Sequence, residues 1–470
     1  MAEGEDTSFC SPSAGGGLRL RVLDTAVVTP AAPPLPPCSL PLTYLDMQWI
    51  HSPPVERVFF FQSSPDTGLI SRLKDSLSTA LRLFFPLAGR LRIATGTATT
   101  ARHHILYQPG DGVAFTLAEY DADLSDLASD HRPRKVSELA HLVPPLQPTE
   151  GGAALLAVQA TVLLRSDRPG LALGVTVHHA ACDGAGSTSF LHAWAAACAG
   201  PGADDESFVF RQPPVIDRTL IAEPQGLYDH YARNLLSTDE IEFVKMSPDQ
   251  VLATFTLSIE HLQGVKDAVA GEAVRRGQTP PPGCSTLVAA LGFIWSCYCR
   301  AQATDSAGGG IEPAYFIVPV DHRKWMKPPV PAAYFGNCIG PGIGAAPKKE
   351  LASGGAGGLL AACAAIAAGV EKAVASPEWE TLVERIKEVG ARGVLSVAGS
   401  PRFRVYDVDF GFGRPAKVEI VSVARTGAMA VAEGRSCVGM EVGISLPPAG
   451  MEAFQRCFAD AIAWLSSSSH

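Results

Sequence analysis

At 470 residues the chain exceeds what one hydrophobic core usually organises, so two domains are expected. Hydrophobic residues make up 47% and charged ones 18%, which excludes disorder over most of the length. A net charge of -9 excludes a protein globally suited to nucleic acid or to an anionic membrane, so an anionic ligand needs a local basic patch.

Residues 1–17 are rich in Gly and Ser and are expected to be disordered. Their acidic start, Met1-Ala2-Glu3-Gly4-Glu5-Asp6, has no apolar run behind it and is no secretory signal. Leu18 to Val28 alternates apolar and polar residues, which predicts a first strand. Thr29 to Pro41 is crowded with proline and reads as an extended connector. From Asp66 to Phe85 the residues Leu69, Ile70, Leu73, Leu77, Leu81 and Phe84 share one helical face, and Pro86 ends the helix.

Residues 99–120 and 153–178 read as strands. Leu171 to Val177 is a strand that runs directly into His178-His179. After Gly184 the pattern turns helical through Ser189 to Trp194, so the two histidines sit at a strand end, just before a helix. Pro201 to Pro224 is Pro-rich and polar. This predicts an N-terminal domain over 1–200, a linker over 201–225 and a C-terminal domain over 226–470, with part of 360–400 packing on the first domain.

In the second half, Gln250 to Ile259 reads as a strand and Glu260 to Arg276 as a helix. A Pro/Gly turn over Thr279 to Gly283 precedes an apolar helix from Ser285, and Tyr315 to Val320 is a strand. Gly354 to Ala375 is Gly/Ala-rich and can be helical from Leu359. Arg404 to Phe410, Lys417 to Val423 and Val438 to Leu446 read as strands, and Met451 to Leu465 as an amphipathic closing helix. No membrane span is expected, because the most apolar window, Leu287 to Cys299, is shorter than the ~18–20 residues required. The eleven cysteines form no CxxC pair and no zinc spacing, which points to buried thiols in a reducing compartment, the cytosol.

Two runs carry chemistry. In His178-His179-Ala180-Ala181-Cys182-Asp183-Gly184 a neutral imidazole can accept a proton near pH 7, and a carboxylate four residues on can orient the ring or fix its loop. An arbitrary HxxxD is more often a satisfied structural pair. No third ligand stands at metal spacing, and Gly186-Ser187 lies in no GxSxG elbow. In Asp409-Phe410-Gly411-Phe412-Gly413-Arg414-Pro415, glycines alternate with aromatics in a tight loop that lacks phosphate-loop spacing, so Asp409 reads as a buried salt-bridge partner. Around it, Arg402, Arg404, Arg414, Lys417 and Arg425 face three acidic residues, a local excess of +2. That stretch is either a phosphate site or a solvated face.

Together the two motifs resemble the plant BAHD acyl-CoA-dependent acyltransferases, which carry HxxxDG mid-chain and DFGWG near the C-terminus. Phe85-Pro86-Leu87-Ala88-Gly89-Arg90-Leu91, Val320-Asp321-His322-Arg323 and Ser400-Pro401-Arg402-Phe403 resemble the same family. The likeness runs from about Arg19 to Leu465. Leu40 to Asp46, Pro54-Val55-Glu56-Arg57 and Tyr334-Phe335-Gly336-Asn337-Cys338 resemble its anthocyanin and flavonoid (phenolic) glucoside malonyltransferase clade.

The resemblance implies an α/β fold of two chloramphenicol acetyltransferase-like domains, each a mixed sheet with helices, with a solvent channel between them. It makes His179 the general base of a ternary-complex mechanism. Asp183 holds the loop through an unidentified arginine, and Asp409 pairs with Arg323 within a structural motif that includes Gly411 and Gly413. Asn337 bonds the acyl carbonyl or the oxyanion. Lys266, Ser285, Thr286, Ser400 and Arg402 fall in segments that contact coenzyme A. It further implies no metal and no permanently bound cofactor, with acyl-CoA (malonyl-CoA as the expected donor) as co-substrate. The expected acceptor is a phenolic or flavonoid glucoside, and the expected state is a cytoplasmic monomer without nucleic-acid or membrane partners.

Two departures from the family pattern matter, the second for the donor. Phe412 replaces the usual tryptophan and loses its N–H donor. Ala185 and Gly186 stand where malonyl-transferring members often have Lys or Arg. Hydroxycinnamoyl or acetyl transfer to an alcohol or amine is therefore an alternative. A non-catalytic ligand-binding relative and a metal-dependent hydrolase are the remaining ones.

Overall fold

The computed structural model describes residues 19–63, 65–94, 102–149, 151–165, 170–200, 212–235, 246–303, 312–435 and 438–468. Residues 1–17, the first three residues of the strand segment 99–120 and residues 201–211 of the linker segment fall outside these.

Two large mixed sheets dominate. The first has six strands in the order Leu20–Val28, Val113–Tyr120, Leu156–Leu163, Gly170–Val177, Val55–Phe61 and Lys417–Ile420. The second has seven, in the order Ile339–Pro347, Pro313–Asp321, Val394–Gly399, Ala428–Glu433, Met440–Leu446, Val251–Leu257 and Arg134–Lys135. A small five-stranded sheet includes Cys38–Pro41 paired with His104–Tyr107, so the proline-rich connector ends in a strand.

The halves exchange edge strands. Lys417–Ile420, from late in the chain, pairs with Val55–Phe61 in the register Lys417↔Phe60 to Ile420↔Arg57. Arg134–Lys135, from the first half, pairs with Val251 and Leu252. One edge of each large sheet is thus a short strand contributed by the other half. A buried charge network joins the two sheets: Arg134 to Glu419 at 2.7 Å and Lys417 to Glu441 at 2.9 Å.

The helices form where their sequence caps and periodicity allow. In Thr67–Leu83 the Asp66 carboxylate accepts from Leu69 N at 2.7 Å, and Leu69, Leu73, Leu77 and Leu81 are buried on one face. That face packs with helix Gly184–Ala199 in a first core holding Phe59, Phe61 and Trp194. The second core is built by helices Ile259–Arg275, Thr286–Ala303, Gly355–Ala375 and Pro448–Ser468. Segment 360–400 divides between the cores: Leu360, Cys363 and Ile366 lie in the second, Trp379, Leu382 and Val383 in the first.

Three expectations need correction. Arg404 to Phe410 is not a strand. It holds the short 3-10 turn Val405–Asp407, set off from a preceding one, Pro401–Phe403, by Arg404 at φ +51°, a left-handed conformation that interrupts any extended ladder. Helix Gly355–Ala375 begins earlier than Leu359, and by length and composition it is apolar enough to cross a membrane. Its alanines create that apolarity, and nine of its residues, from Gly358 to Ala373, are buried against the rest of the protein. The linker segment is not merely a connector, because its 3-10 turn Arg218–Leu220 drives Arg218 into the interior at 4% exposure.

Candidate active site

Strand Gly170–Val177 is buried along its whole length at the centre of the first sheet. It delivers His178, whose N–H donates to Leu155 O at 2.9 Å, and then a tight turn closed by Ala181 N to His178 O at 2.9 Å. Asp183 starts the next helix by accepting from Gly186 N at 3.1 Å. Between ladder and cap, His179 is left half-buried at the strand end.

The His179 ring stacks on Trp49, with centroids 3.8 Å apart and planes 11° from parallel. Its Nδ1 is buried without a hydrogen-bond partner. Burial lowers its pKa below the ordinary histidine value, against its own carbonyl and the Asp183, Asn337 and Asp46 side chains, which favour the cation. The imidazole is therefore neutral near pH 7 and able to accept a proton. His178 is buried and accepts from Ala180 N at 3.2 Å; burial, then His179 and His51, push its pKa down to about 4. It packs and takes no proton at neutral pH.

The arginine that holds Asp183 is Arg323. Its Nη1 lies 2.9 Å from Asp183 Oδ2, and its Nη2 donates to Oδ1 at 3.1 Å. Cys338 N donates to Asp183 Oδ2 at 3.1 Å. The expected Asp409–Arg323 pair is thus overturned. The Asp409 carboxylate turns inward on its own loop and accepts from Gly411 N at 2.8 Å and Gly413 N at 3.0 Å. Two backbone donors satisfy it where it sits, while the Arg323 fork matches the buried Asp183. Gly411, at φ +87°, meets the end of helix Gly184–Ala199 so closely that a Cβ would lie 2.9 Å from Ala199 Cα. Phe410 packs edge-on against Trp194 at 4.9 Å, and Phe412 against Phe61 at 5.0 Å, so a phenyl ring meets the packing demand of the usual indole.

Asn337 does not aim its amide nitrogen at a substrate. Nδ2 donates to Asp46 Oδ1 and to the His179 carbonyl, both at 2.9 Å, and the residue is fully buried. Asp46 in turn is gripped by Arg218 Nη1 at 2.9 and 3.0 Å, while Arg218 Nη2 donates to Ala181 O at 2.7 Å. Sequence reasoning missed Asp46, Arg218 and Trp49. Asp46 closes the run from Leu40, which was singled out only as a resemblance; Arg218 had no local signal.

The residues expected at coenzyme A fall into two groups. Lys266 Nζ donates to Thr286 Oγ1 at 2.8 Å, and Ser285 Oγ accepts from Val288 N at 3.2 Å at the start of helix Thr286–Ala303. The ammonium of Lys266, from helix Ile259–Arg275, thus lies against the first residue of the 18-residue helix Thr286–Ala303, a pairing that suits an anion. Ser400 Oγ accepts from Arg402 N at 3.3 Å in the turn before Phe403, whose carbonyl lies 3.0 Å from His192 Nε2 on helix Gly184–Ala199. The surrounding excess of positive charge largely dissolves into ion pairs: Arg404 and Arg414 with Asp407, Lys417 with Glu441, and Arg425 with Glu56. Among the described residues Arg402 makes no ion pair. Among them, too, no group of three His, Cys, Asp or Glu side chains is placed to hold a metal.

Residues 18–461 match the model of the Transferase family. The chain is 31% identical to malonyl-coenzyme A:anthocyanin 3-O-glucoside-6''-O-malonyltransferase of Dahlia pinnata, over 94% of this chain and 97% of that protein. It is 33% identical to phenolic glucoside malonyltransferase 1 of Arabidopsis thaliana, over 91% and 94%. A coumaroyl-CoA:anthocyanidin 3-O-glucoside-6''-O-coumaroyltransferase of the same plant is 30% identical over 94% and 97%. Vinorine synthase shares the fold at a TM-score of 0.64 and 18% identity, covering 93% of this chain and 96% of that one. With both motifs in place on this α/β fold, the chain belongs to the Transferase family, that of the BAHD acyl-CoA-dependent acyltransferases.

Proposed function

We propose that this acyltransferase moves a malonyl group from coenzyme A to a sugar hydroxyl of a phenolic or flavonoid glucoside, with His179 as general base. The observation that carries the chemistry is the His179 ring: neutral by burial, fixed by the Trp49 stack, and buried at Nδ1 so that Nε2 is the nitrogen left to work. His179 removes the acceptor proton as the hydroxyl oxygen attacks the thioester carbonyl. The tetrahedral intermediate then loses the coenzyme A thiolate, which takes the proton back from His179. Asp183 and Asp46 favour the transient imidazolium. Both substrates bind before chemistry, so no acyl-enzyme forms, and alignment supplies much of the acceleration. Malonyltransferase relatives that match nearly the whole chain support the donor and the acceptor. Nine described cysteines are free thiols, which supports a reducing, cytosolic setting.

Hydroxycinnamoyl transfer is the second reading. Ala185 and Gly186 place two small uncharged residues at the start of the helix that follows His179, and neither supplies a cation for a malonyl carboxylate. Assays with malonyl-, acetyl- and coumaroyl-CoA against a glucoside panel decide between them. Malonyl transfer to a sugar hydroxyl supports the proposal; turnover with coumaroyl-CoA alone overturns the donor. Retained turnover by His179→Ala with any donor overturns the base.

A further inference from the structure

We propose that Asp46 and Asn337 are positioning residues for His179: Asp46 fixes the flip of the Asn337 amide, and Asn337 then holds the His179 main chain with its nitrogen and the imidazole Nδ1–H with its oxygen. The inference rests on His179 being the base and adds how its working nitrogen is selected.

The amide orientation follows from the chemistry of its neighbours. The Asp46 carboxylate and the His179 carbonyl only accept, and one Asn337 terminal atom lies 2.9 Å from each. That atom must be the NH2 group. Asn337 N also donates to Asp46 Oδ1 at 3.1 Å, so main chain and side chain close on the same carboxylate. Asp46 cannot swing away: it is fully buried, Thr43 N and Oγ1 each donate to it at 2.8 Å, and the Arg218 guanidinium neutralises it. The other amide atom, Oδ1, is then forced to the far side.

Asn337 Oδ1 is buried without a partner, and so is His179 Nδ1. They are complementary, an acceptor and a donor, on two residues already joined by a hydrogen bond. Leaving both unsatisfied costs the desolvation of two polar atoms, whereas a shared proton on Nδ1 removes both penalties. Nδ1–H also puts the lone pair on Nε2, which is the tautomer a base at the strand end requires. The groups that face His179 are Asp183, Asp46 and His178, with Arg323 and Arg218 bound to the two carboxylates. Against the burial that disfavours it, the protonated ring is favoured first by its own carbonyl, then by Asp183, and then by the Asn337 side chain.

The test combines kinetics with a tautomer measurement. In Asn337→Ala and Asp46→Asn, kcat should fall about 10- to 100-fold with little change in the acyl-CoA KM, because a mispositioned base weakens the chemical step rather than binding. The acid limb of kcat/KM should move to lower pH in Asn337→Ala, since a group favouring the imidazolium is gone. Folded variants with unchanged kcat and an unmoved acid limb would overturn the proposal. Imidazole 15N shifts of the wild-type protein, assigned against His179→Ala, decide it even if the variants fail to fold. The Nδ1–H form near pH 7 supports it, and the Nε2–H form sinks it. An active His179→Ala would instead remove the base itself, so the two failures are distinguishable.

Discussion

Replacing Arg323 by Ala strips the buried Asp183 carboxylate of its guanidinium. Asp183 is 1% exposed and keeps only backbone donors, Gly186 N and Cys338 N, while Arg323 also loses its bond to Tyr334 O at 3.0 Å. Removing one partner of such a pair costs about 3–5 kcal/mol. Asp409→Ala removes two backbone bonds to a carboxylate on an exposed loop and should cost about 0.5–2 kcal/mol. Equilibrium denaturation followed by tryptophan fluorescence measures both, and two double-mutant cycles identify the partner. Asp183 and Arg323 should couple by about 1.5 kcal/mol or more; Asp409 and Arg323 should add within about 0.5 kcal/mol. Coupling of Asp409 to Arg323 as strong as that of Asp183 would refute the assignment. Arg323→Lys should recover little, because an ammonium cannot reproduce the two-pronged contact.

Gly411→Ala should lower stability by about 1–3 kcal/mol, read as a drop in the thermal midpoint, because it combines φ +87° with a Cβ 2.9 Å from Ala199 Cα. Lys266→Ala should raise the coenzyme A KM with kcat retained; a change confined to the acceptor KM would remove Lys266 from the donor site. The folded His178 pKa of about 4 lies below the ordinary 6.5, so protons favour the unfolded chain: stability should fall as pH drops from 6.5 towards about 4 and level off below. His178→Gln should flatten that part of the profile, and an unchanged profile would show that another group governs it.

The local chemistry around His179 was legible in the sequence. A buried strand, a short turn and an aspartate before a helix are neighbours in the chain, and hydrophobic period and capping act over a few residues. The same holds for helices Thr67–Leu83, Ile259–Arg275 and Pro448–Ser468, whose apolar faces and breaks can be read directly. Motif order along the chain was enough to place the family.

Only the tertiary structure decided who pairs with whom. Asp183 meets Arg323 across 140 positions, Asp46 meets Arg218 across 172, and Asn337 reaches Asp46 across 291. No periodicity spans such separations. A buried charge takes whichever partner the packing brings within reach, and Asp409, paired with Arg323 by the family resemblance, is satisfied instead by backbone donors that cannot be seen in a string of residues. The exchanged edge strands Arg134–Lys135 and Lys417–Ile420 are likewise too short to announce themselves, since their stability comes from the sheet they join rather than from their own propensity.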